Sequence, residues 1–579
     1  MSAPPSAGSN AARNACSIFF FIQRPFMKTT ARIFAASAAL LLLAANSSAQ
    51  DSFFDGDSSS GFDSFGGSSS SIPVEFSGTL KADGRAYLDK DVDGKDTGFE
   101  AKNLKDFRNV PTDADASAKI GIKYSGNKTD AEVKLLFQKD IIKDHPFDII
   151  DELTLSGYMG NLTLNAGKMK ITWGKGDKLH VLDNFNADDY TDFIFPDYLD
   201  RRISTPMAQA IYAPAYSNSV VSNIRLEAVY TPFLPTDRFA SKGYWVPGQV
   251  GELKSTVTDI VSTNLASKLA AKDALISTSP TPPTAGYIAA EKAYLEYLTY
   301  ANSLMDDPEN LYPDTNTLKY SQLGGRVTAT FKQFDVGASY YYGHYKQPSV
   351  DLSSYYADAA AIASNTTFLT NYGAAIQSGA VTKEDAIKAF AIQSGTELSL
   401  PELHYDRKQT FGLEASTILW HFNLRGEAAF NLTEDTKGDN PWVHNNSVAW
   451  LAGFDIDLPF ANMNVNIQET GSLTLNYDKV KDGAFKEYDA DYNAGHATNN
   501  RLVANITTSF MNEKLSPEVT VMYGIERGDL VVMPKIVYKP VPDLSLTASG
   551  MYLGCKNEES EFHAWENNSF VQLGARVEF

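Results

Sequence analysis

Residues 463–477 read MNVNIQETGSLTLNY. Val465, Ile467, Leu473, Leu475 and Tyr477 fall on one parity; Asn464, Asn466, Gln468, Thr470, Ser472, Thr474 and Asn476 fall on the other. A helix would repeat its apolar positions about every 3.6 residues, whereas a period of about two marks a β-strand with one apolar and one wet face. The same alternation begins after Pro73, where Val74, Phe76, Leu80, Ala82 and Ala86 interleave with Glu75, Ser77, Thr79, Lys81, Asp83 and Arg85. It recurs over 128–138, 222–232, 321–332, 334–345, 421–431, 500–510 and 541–553.

A soluble sandwich also alternates, so the links between strands decide. Short links fall near 126–128, 160–161, 217–220, 332–333, 417–420, 459–461, 512–515 and 539–542. Long ones fall near 90–114, 139–149, 173–205, 233–318, 346–401, 432–446, 478–499 and 554–567, with a brief one at 525–528 in the same series. Short periplasmic turns alternating with long outer loops characterise outer-membrane barrels. The expected fold is therefore all-β: a transmembrane antiparallel up-and-down β-barrel spanning 73–579, with 18 strands. The count is sensitive to how the long links are divided, and 16 is the other count. The links 233–318 and 346–401 change period and are expected to carry helices. In the first, 252–276 and 285–305 read helical, with Leu295, Leu298 and Met305 near one face; in the second, Thr382-Lys-Glu-Asp385 has the form of a capping box.

Composition agrees. The chain has 579 residues, 50 Lys and Arg against 70 Asp and Glu, a net charge of −20 and a mean hydropathy of −0.25. The longest apolar run, Ile33–Ala45, is shorter than the roughly 20 residues a membrane helix needs, which excludes a polytopic helical transporter. A barrel strand needs only about 9–11 residues, half of them apolar, so a polar chain can still cross lipid. Net acidity without a basic block argues against a nucleic-acid partner. The two cysteines and eight scattered histidines form no disulfide framework and no metal motif, and no G-x-S-x-G or P-loop occurs. No cofactor, no metal and no enzymatic activity are expected.

Residues 27–49 read as a cleaved secretion signal: basic Lys28 and Arg32, an apolar centre, then Ser47 and Ala49. Residues 1–26 precede it and read as an upstream start assigned too early. Removing 1–49 takes away Arg13, Arg24, Lys28 and Arg32 and no acid, which leaves a still more acidic exported chain. Residues 50–72, rich in Ser, Gly, Asp and Phe, read as a disordered periplasmic tail.

At the other end, Gln572-x-Gly574-x-x-Val577-x-Phe579 resembles the terminal β-signal of bacterial outer-membrane proteins. The resemblance implies insertion by the barrel-assembly machinery into outer-membrane lipid. A second resemblance lies in the 173–205 link. Gly167, Trp173, Gly174, Asp177, Asn186, Asp189 and Arg201 or Arg202 match a stretch of large outer-membrane channels, including alginate-export-like and efflux-associated barrels. Here Asn186-Ala187 stands where the family has Asn-Pro. What this implies is an inward-folded loop narrowing a pore. The outward parity of 162–171 shifts between Ala166 and Met169, which suggests a bulge near Gly167. Asp183, Asn184, Asn186, Asp188 and Asp189 lack the spacing of a calcium loop and read as an Asx-rich turn.

A barrel of this size encloses a wet lumen. With the polar parity inward, Lys81, Arg85, Lys119, Lys123, Lys134, Lys168, Lys170 and Arg576 form a basic wall, expected to favour anionic or carboxylate-bearing solutes. The expected function is a channel for passive or facilitated diffusion of small solutes across the outer membrane. The alternative is a surface adhesin or ligand-binding barrel acting through its long helical loops.

Overall fold

In the computed structural model the described residues are 73–88, 112–177, 179–276, 284–306 and 308–579. The expectations for 1–26, 27–49 and 50–72 lie outside them. Every segment with strong alternation is extended, because only pairing edge to edge satisfies its backbone N–H and C=O groups. The strands are β1 (Val74–Tyr87), β2 (Thr112–Ser125), β3 (Thr129–Gln138), β4 (Ile150–Met159), β5 (Leu162–Met169), β6 (Thr205–Tyr212), β7 (Val221–Thr231), β8 (Gln322–Phe331) and β9 (Phe334–His344). They continue as β10 (Arg407–Leu419), β11 (Phe422–Leu432), β12 (Ser447–Leu458), β13 (Met463–Thr474), β14 (Thr498–Thr507), β15 (Leu515–Gly524), β16 (Leu530–Val541), β17 (Leu544–Gly554) and β18 (Phe570–Glu578).

Each strand pairs antiparallel with the next, as in Val465 opposite Ile456. The sheet closes when β1 meets β18, from Thr79 opposite Glu578 to Tyr87 opposite Phe570. The result is a closed 18-stranded antiparallel barrel. At the seam Gly78 N donates to Phe579 O at 2.7 Å and Phe579 N to Gly78 O at 3.0 Å. A Cβ on Gly78 would fall inside the Phe579 ring, so the glycine is what lets the terminal ring lie flat on the wall. Among the described residues no helix is long and apolar enough to cross a membrane.

The outward parity is apolar. Leu80, Leu155, Leu226, Val327, Leu413, Leu502, Leu546 and Leu573 are exposed on the barrel's outer face. Phe331, Phe334, Trp420, Phe460, Phe510 and Phe579 are exposed near the short turns; Tyr230, Phe411, Phe430, Tyr523 and Tyr552 are exposed nearer the long links. Two aromatic belts bounding an apolar band suit the two interfaces of a bilayer.

The irregularity expected at Gly167 takes two forms. Gly167 itself has φ 144°, with a Cβ position blocked by Leu153 O. The shift of register falls on the neighbouring strand pair, between Lys134 and Leu135, where β3 skips Asp151 of β4.

The two longest links carry helices α1 (Gly248–Ile276), α2 (Ala285–Asp306), α3 (Ser353–Ala363), α4 (Thr366–Gln377) and α5 (Lys383–Ser394). Thr382 caps α5 by accepting from Asp385 N at 3.0 Å, and Gly395, at φ 73°, ends it. Ile260 of α1 packs with Ile362, Phe368, Ala386 and Phe390 of α3–α5, while Leu253, Val257 and Val261 pack on Ala301 and Leu304 of α2. On α2 the buried positions are Ala301 and Leu304, whereas Leu295 is exposed. The apolar face is thus displaced by part of a turn from the expected one, because α2 packs along α1 through its C-terminal half.

Candidate functional site

The β5–β6 link, 170–204, runs into the lumen and is held there by groups from across the barrel. Gly174 starts it with φ 114°, and a Cβ there would strike the carboxylate of Glu427. That carboxylate, on β11, accepts from Lys175 N at 2.6 Å, Gly176 N at 2.7 Å and Val181 N at 2.9 Å. His180 Nδ1 lies 3.4 Å away, and the Glu427 side chain is 0% exposed. Three backbone donors on one carboxylate are what a buried negative charge requires. Trp173 Nε1 donates to Glu227 on β7 at 2.9 Å, and Asp177 pairs with Arg425 on β11 and accepts from Asn466 Nδ2 on β13 at 2.6 Å.

Asn186 ties the two ends of the link. Its Oδ1 accepts from Ile171 N at 2.9 Å, and its Nδ2 donates to Met169 O and Ile203 O, each at 3.0 Å. The short strand Ala187–Tyr190 then pairs with Arg202–Ile203 and with Arg238–Phe239. Asp189 accepts from Arg238 at 3.0 Å, Arg201 donates to Ile194 O at 3.0 Å, and Arg202 forms a buried ion pair with Asp183. All seven motif positions from Trp173 to Arg202 thus serve to hold the loop. Asp183, Asn184, Asn186 and Asp189 are each committed to separate partners, and among the described residues no three His, Cys, Asp or Glu side chains converge as a metal would need.

Packing matches the hydrogen bonds. Phe185 is fully buried edge-on to Trp173 (centroids 5.0 Å apart) and Tyr341 (5.1 Å). Gly324 on β8 leaves room for this pair: a Cβ there would lie 2.8 Å from Phe185 Cζ. Gly412 on β10 does the same for Leu182, 2.5 Å from a would-be Cβ. A further aromatic cluster of Phe193, Trp245, Phe562 and Phe570 packs the loop and the segment before α1 against β1 and β16–β18.

The cations of the expected basic wall meet acids. Lys81 pairs with Asp83 (2.8 Å), Arg85 with Asp192 of the loop (2.5 Å), Lys119 with Asp200 (3.6 Å) and Lys134 with Glu152 (3.2 Å). Lys170 pairs with Asp151 (3.1 Å) and Arg576 with Glu578 (2.7 Å). Lys168 is enclosed by the 147–150 turn, on Asp148 and Ile150 O at 2.7 Å each, and is only 7% exposed, so it does not line open space. Of the eight, Lys123 alone makes no ion pair among the described residues. Strand acids Asp83, Asp151, Glu152 and Glu578 meet four of these cations, and Asp148, Asp192 and Asp200 from the links meet three; the link acids are invisible to a strand-by-strand tally. At the seam Gln572 accepts from Arg85 Nε at 3.0 Å, Gly574 sits opposite Asp83, and Val577 faces outward.

Two cavities flank the loop. One, about 490 Å³, lies toward the short turns and is lined by Lys170 and Lys175 of the loop with Arg225, Glu227 and Arg326 of the wall. Arg225 reaches Glu227 (3.4 Å) and Arg326 reaches Glu414 (2.6 Å), whereas Lys175 has no ion pair among the described residues. The other, about 350 Å³, lies toward the long links, between the loop and the ends of β9 and β10. At its rim Asp406 accepts from His404 Nε2 (2.9 Å), from Ser349 Oγ (2.8 Å) and from His444 N (2.8 Å), with His444 Nδ1 at 2.6 Å. These bonds clasp three loop segments. Burial opposes it, yet the bonds from His404 and His444 hold the Asp406 carboxyl well below the usual carboxylate range, and the bond to Asp406 raises His404.

No family model matches the chain, nor does any curated protein. Solved structures similar to it include the following three. The channel DcaP of Acinetobacter baumannii shares 8% identity over 87% of this chain and 97% of that one, with a TM-score of 0.33. For OccK11 of Pseudomonas aeruginosa the values are 7%, 87%, 96% and 0.37, and for OmpF of Salmonella typhi in complex with daunomycin 7%, 87%, 97% and 0.33. The assignment of architecture rests on this chain's own closed pairing.

Sequence reasoning found the loop but missed what receives it: Glu227, Arg425, Glu427 and Asn466 on the walls, and Lys346 and Lys408 at the outer cavity. Glu227 and Glu427 carry a faint signal, as acids on the inward parity of otherwise neutral strands. Nothing local says which loop they bind.

Proposed function

We propose that this protein is an outer-membrane channel for diffusion of small polar solutes, narrowed by the 170–204 loop. The observation that carries the reading is a closed barrel, apolar outside, whose charged interior keeps open cavities on both faces of an inward loop. A plugged structural barrel would fill that space with apolar side chains, as small barrels do. The C-terminal strand, with Phe579 seated against Gly78, is the element we assign to recognition by the barrel-assembly machinery.

Anion preference fits best at the inner cavity rather than along the paired wall. Lys170, Lys175, Arg225 and Arg326 line it against Glu227, with Asp151 and Glu414 as partners behind, which leaves the Lys175 ammonium uncompensated among the described residues. A surplus cation at a narrowing lowers the energy of a passing carboxylate. The adhesin alternative draws on the apolar cores inside the helical insert, which give that insert a defined surface. Planar bilayers test both readings. Stepwise conductance with an anion-directed reversal potential in a KCl gradient, diminished by Lys175→Glu, is expected. Cation preference defeats the anion assignment, and a silent folded barrel defeats the channel.

A further inference from the structure

The outer cavity is lined by half-buried charges of both signs that form no ion pair with one another. Lys346 Nζ donates to Gln322 Oε1 at 2.5 Å and to Phe185 O at 3.4 Å. Lys408 Nζ donates to Asn184 Oδ1 at 2.7 Å and faces the Tyr345 ring, 4.7 Å from its centroid. All these partners are neutral, and neither lysine has a carboxylate in ion-pair range among the described residues. On the acidic side, Asp237 accepts from Asp188 N at 3.0 Å and from Gln347 Nε2 at 3.3 Å. Asp188 accepts at Oδ2 from Tyr190 OH at 3.3 Å, while its Oδ1 is buried with no partner. Of the guanidinium groups close by, Arg202 pairs with Asp183, while Arg201 donates to the carbonyls of Ile194 and Pro196 and acts on Asp188 only from beyond ion-pair range. Lys346, Lys408, Asp188 and Asp237 all line the same space of about 350 Å³.

Taking a charge out of water is costly unless an opposite charge meets it. Two cations and two carboxylates in one cavity could have met one another and do not. Burial raises Asp237, pushes Asp188 up to about 6 and drives Lys346 well below its ordinary value, the reverse of what closed ion pairs would produce. A guest of single sign would compensate one pair and leave the other exposed to the same penalty. A dipolar guest compensates both.

We propose that the outer cavity binds a small zwitterion of the amino-acid class, its carboxylate toward Lys346 and Lys408 and its ammonium toward Asp188 and Asp237. Ligand cavities span roughly 300–1,000 Å³; this one is at the small end, which suits a single amino acid rather than a long peptide. The inference deepens the channel reading by naming a solute class, and rests on it for the route of arrival, though binding itself needs no conduction.

The test uses the full-length barrel in detergent and isothermal titration with L-alanine, propionate and ethylammonium. Alanine is expected to bind at least tenfold more tightly than either singly charged probe. Lys346→Met and Asp237→Asn should each weaken alanine binding at least tenfold while heat-modifiable gel mobility is retained. Should Asp237→Asn fail to fold, Asp188→Asn takes its place. Equal affinity for propionate and alanine, no binding of any probe, or binding untouched by these substitutions overturns the proposal. Conductance measured on the same preparation separates the two readings. A barrel that conducts KCl and binds no alanine loses the cavity assignment and keeps the channel; one that binds alanine without conducting does the opposite.

Discussion

Removing the Glu427 carboxylate should free the loop from the far wall. In Glu427→Ala, the N–H groups of Lys175, Gly176 and Val181 lose the acceptor they share at 2.6–2.9 Å. Each unsatisfied buried donor costs about 1–3 kcal/mol. Even at the low end the three together come to about 3 kcal/mol, a shift on the order of 100-fold in the docked-to-released equilibrium. Release is the cheap escape, since lumen water then hydrates the freed groups. Trp173–Glu227 and Asp177–Arg425 remain, so the loop should detach in part rather than unfold the barrel. Single-channel recording reads this directly. The variant should show a larger and noisier open level and admit bulkier solutes, with unchanged heat-modifiable mobility. Glu427→Gln keeps one oxygen for Lys175 N and Gly176 N but none for Val181 N, and should fall between the two. A Glu427→Ala channel with wild-type conductance, noise and solute cut-off would refute the claim that this carboxylate holds the constriction.

Other outcomes follow from the same geometry. Gly78→Val puts a side chain where the Phe579 ring lies, so folding into liposomes should slow and the heat-modifiable fraction should drop. Leu413→Arg, on an outward position 64% exposed, should cost about 2–4 kcal/mol if it sits near the bilayer midplane, read as a lower urea midpoint in lipid. The rim clasp should respond to alkali before acid. Its raised His404 lends stability that is complete below the ordinary imidazole value of about 6.5 and is lost as pH rises through the higher folded value. The depressed Asp406 lends stability above the ordinary carboxylate range, lost only in strong acid. Protection factors of the amides at 349–351 and 402–404, that is exchange corrected for its intrinsic base-catalysed rise, should therefore fall as pH rises past neutrality, and His404→Ala should abolish that fall; protection that is flat with pH contradicts the clasp.

The strands were the most legible part. Alternation in 463–477 and its repeats named the elements, and the rhythm of short and long links led to eighteen of them, all found closing one sheet. The loop motif was legible as a motif: Trp173, Gly174, Asp177 and Asn186 each turn out to hold the link in place. The basic wall was legible only in part. Parity assigned Arg85 and Lys119 to the inner face, but their partners, Asp192 and Asp200, arrive from a link about 80–110 residues away in the chain. The outer cavity was not legible. Lys346 and Lys408 look like ordinary solvated lysines at strand ends until the loop brings Asn184 and Phe185 against them.

Local chemistry therefore determined which segments extend and which way each side chain points, because lipid demands full backbone pairing and an apolar outer parity, and both demands are written residue by residue. What occupies the interior was decided only by closure. A loop's charges find their counter-charges across a lumen, between groups hundreds of residues apart, and no period in the chain records a distance measured through water.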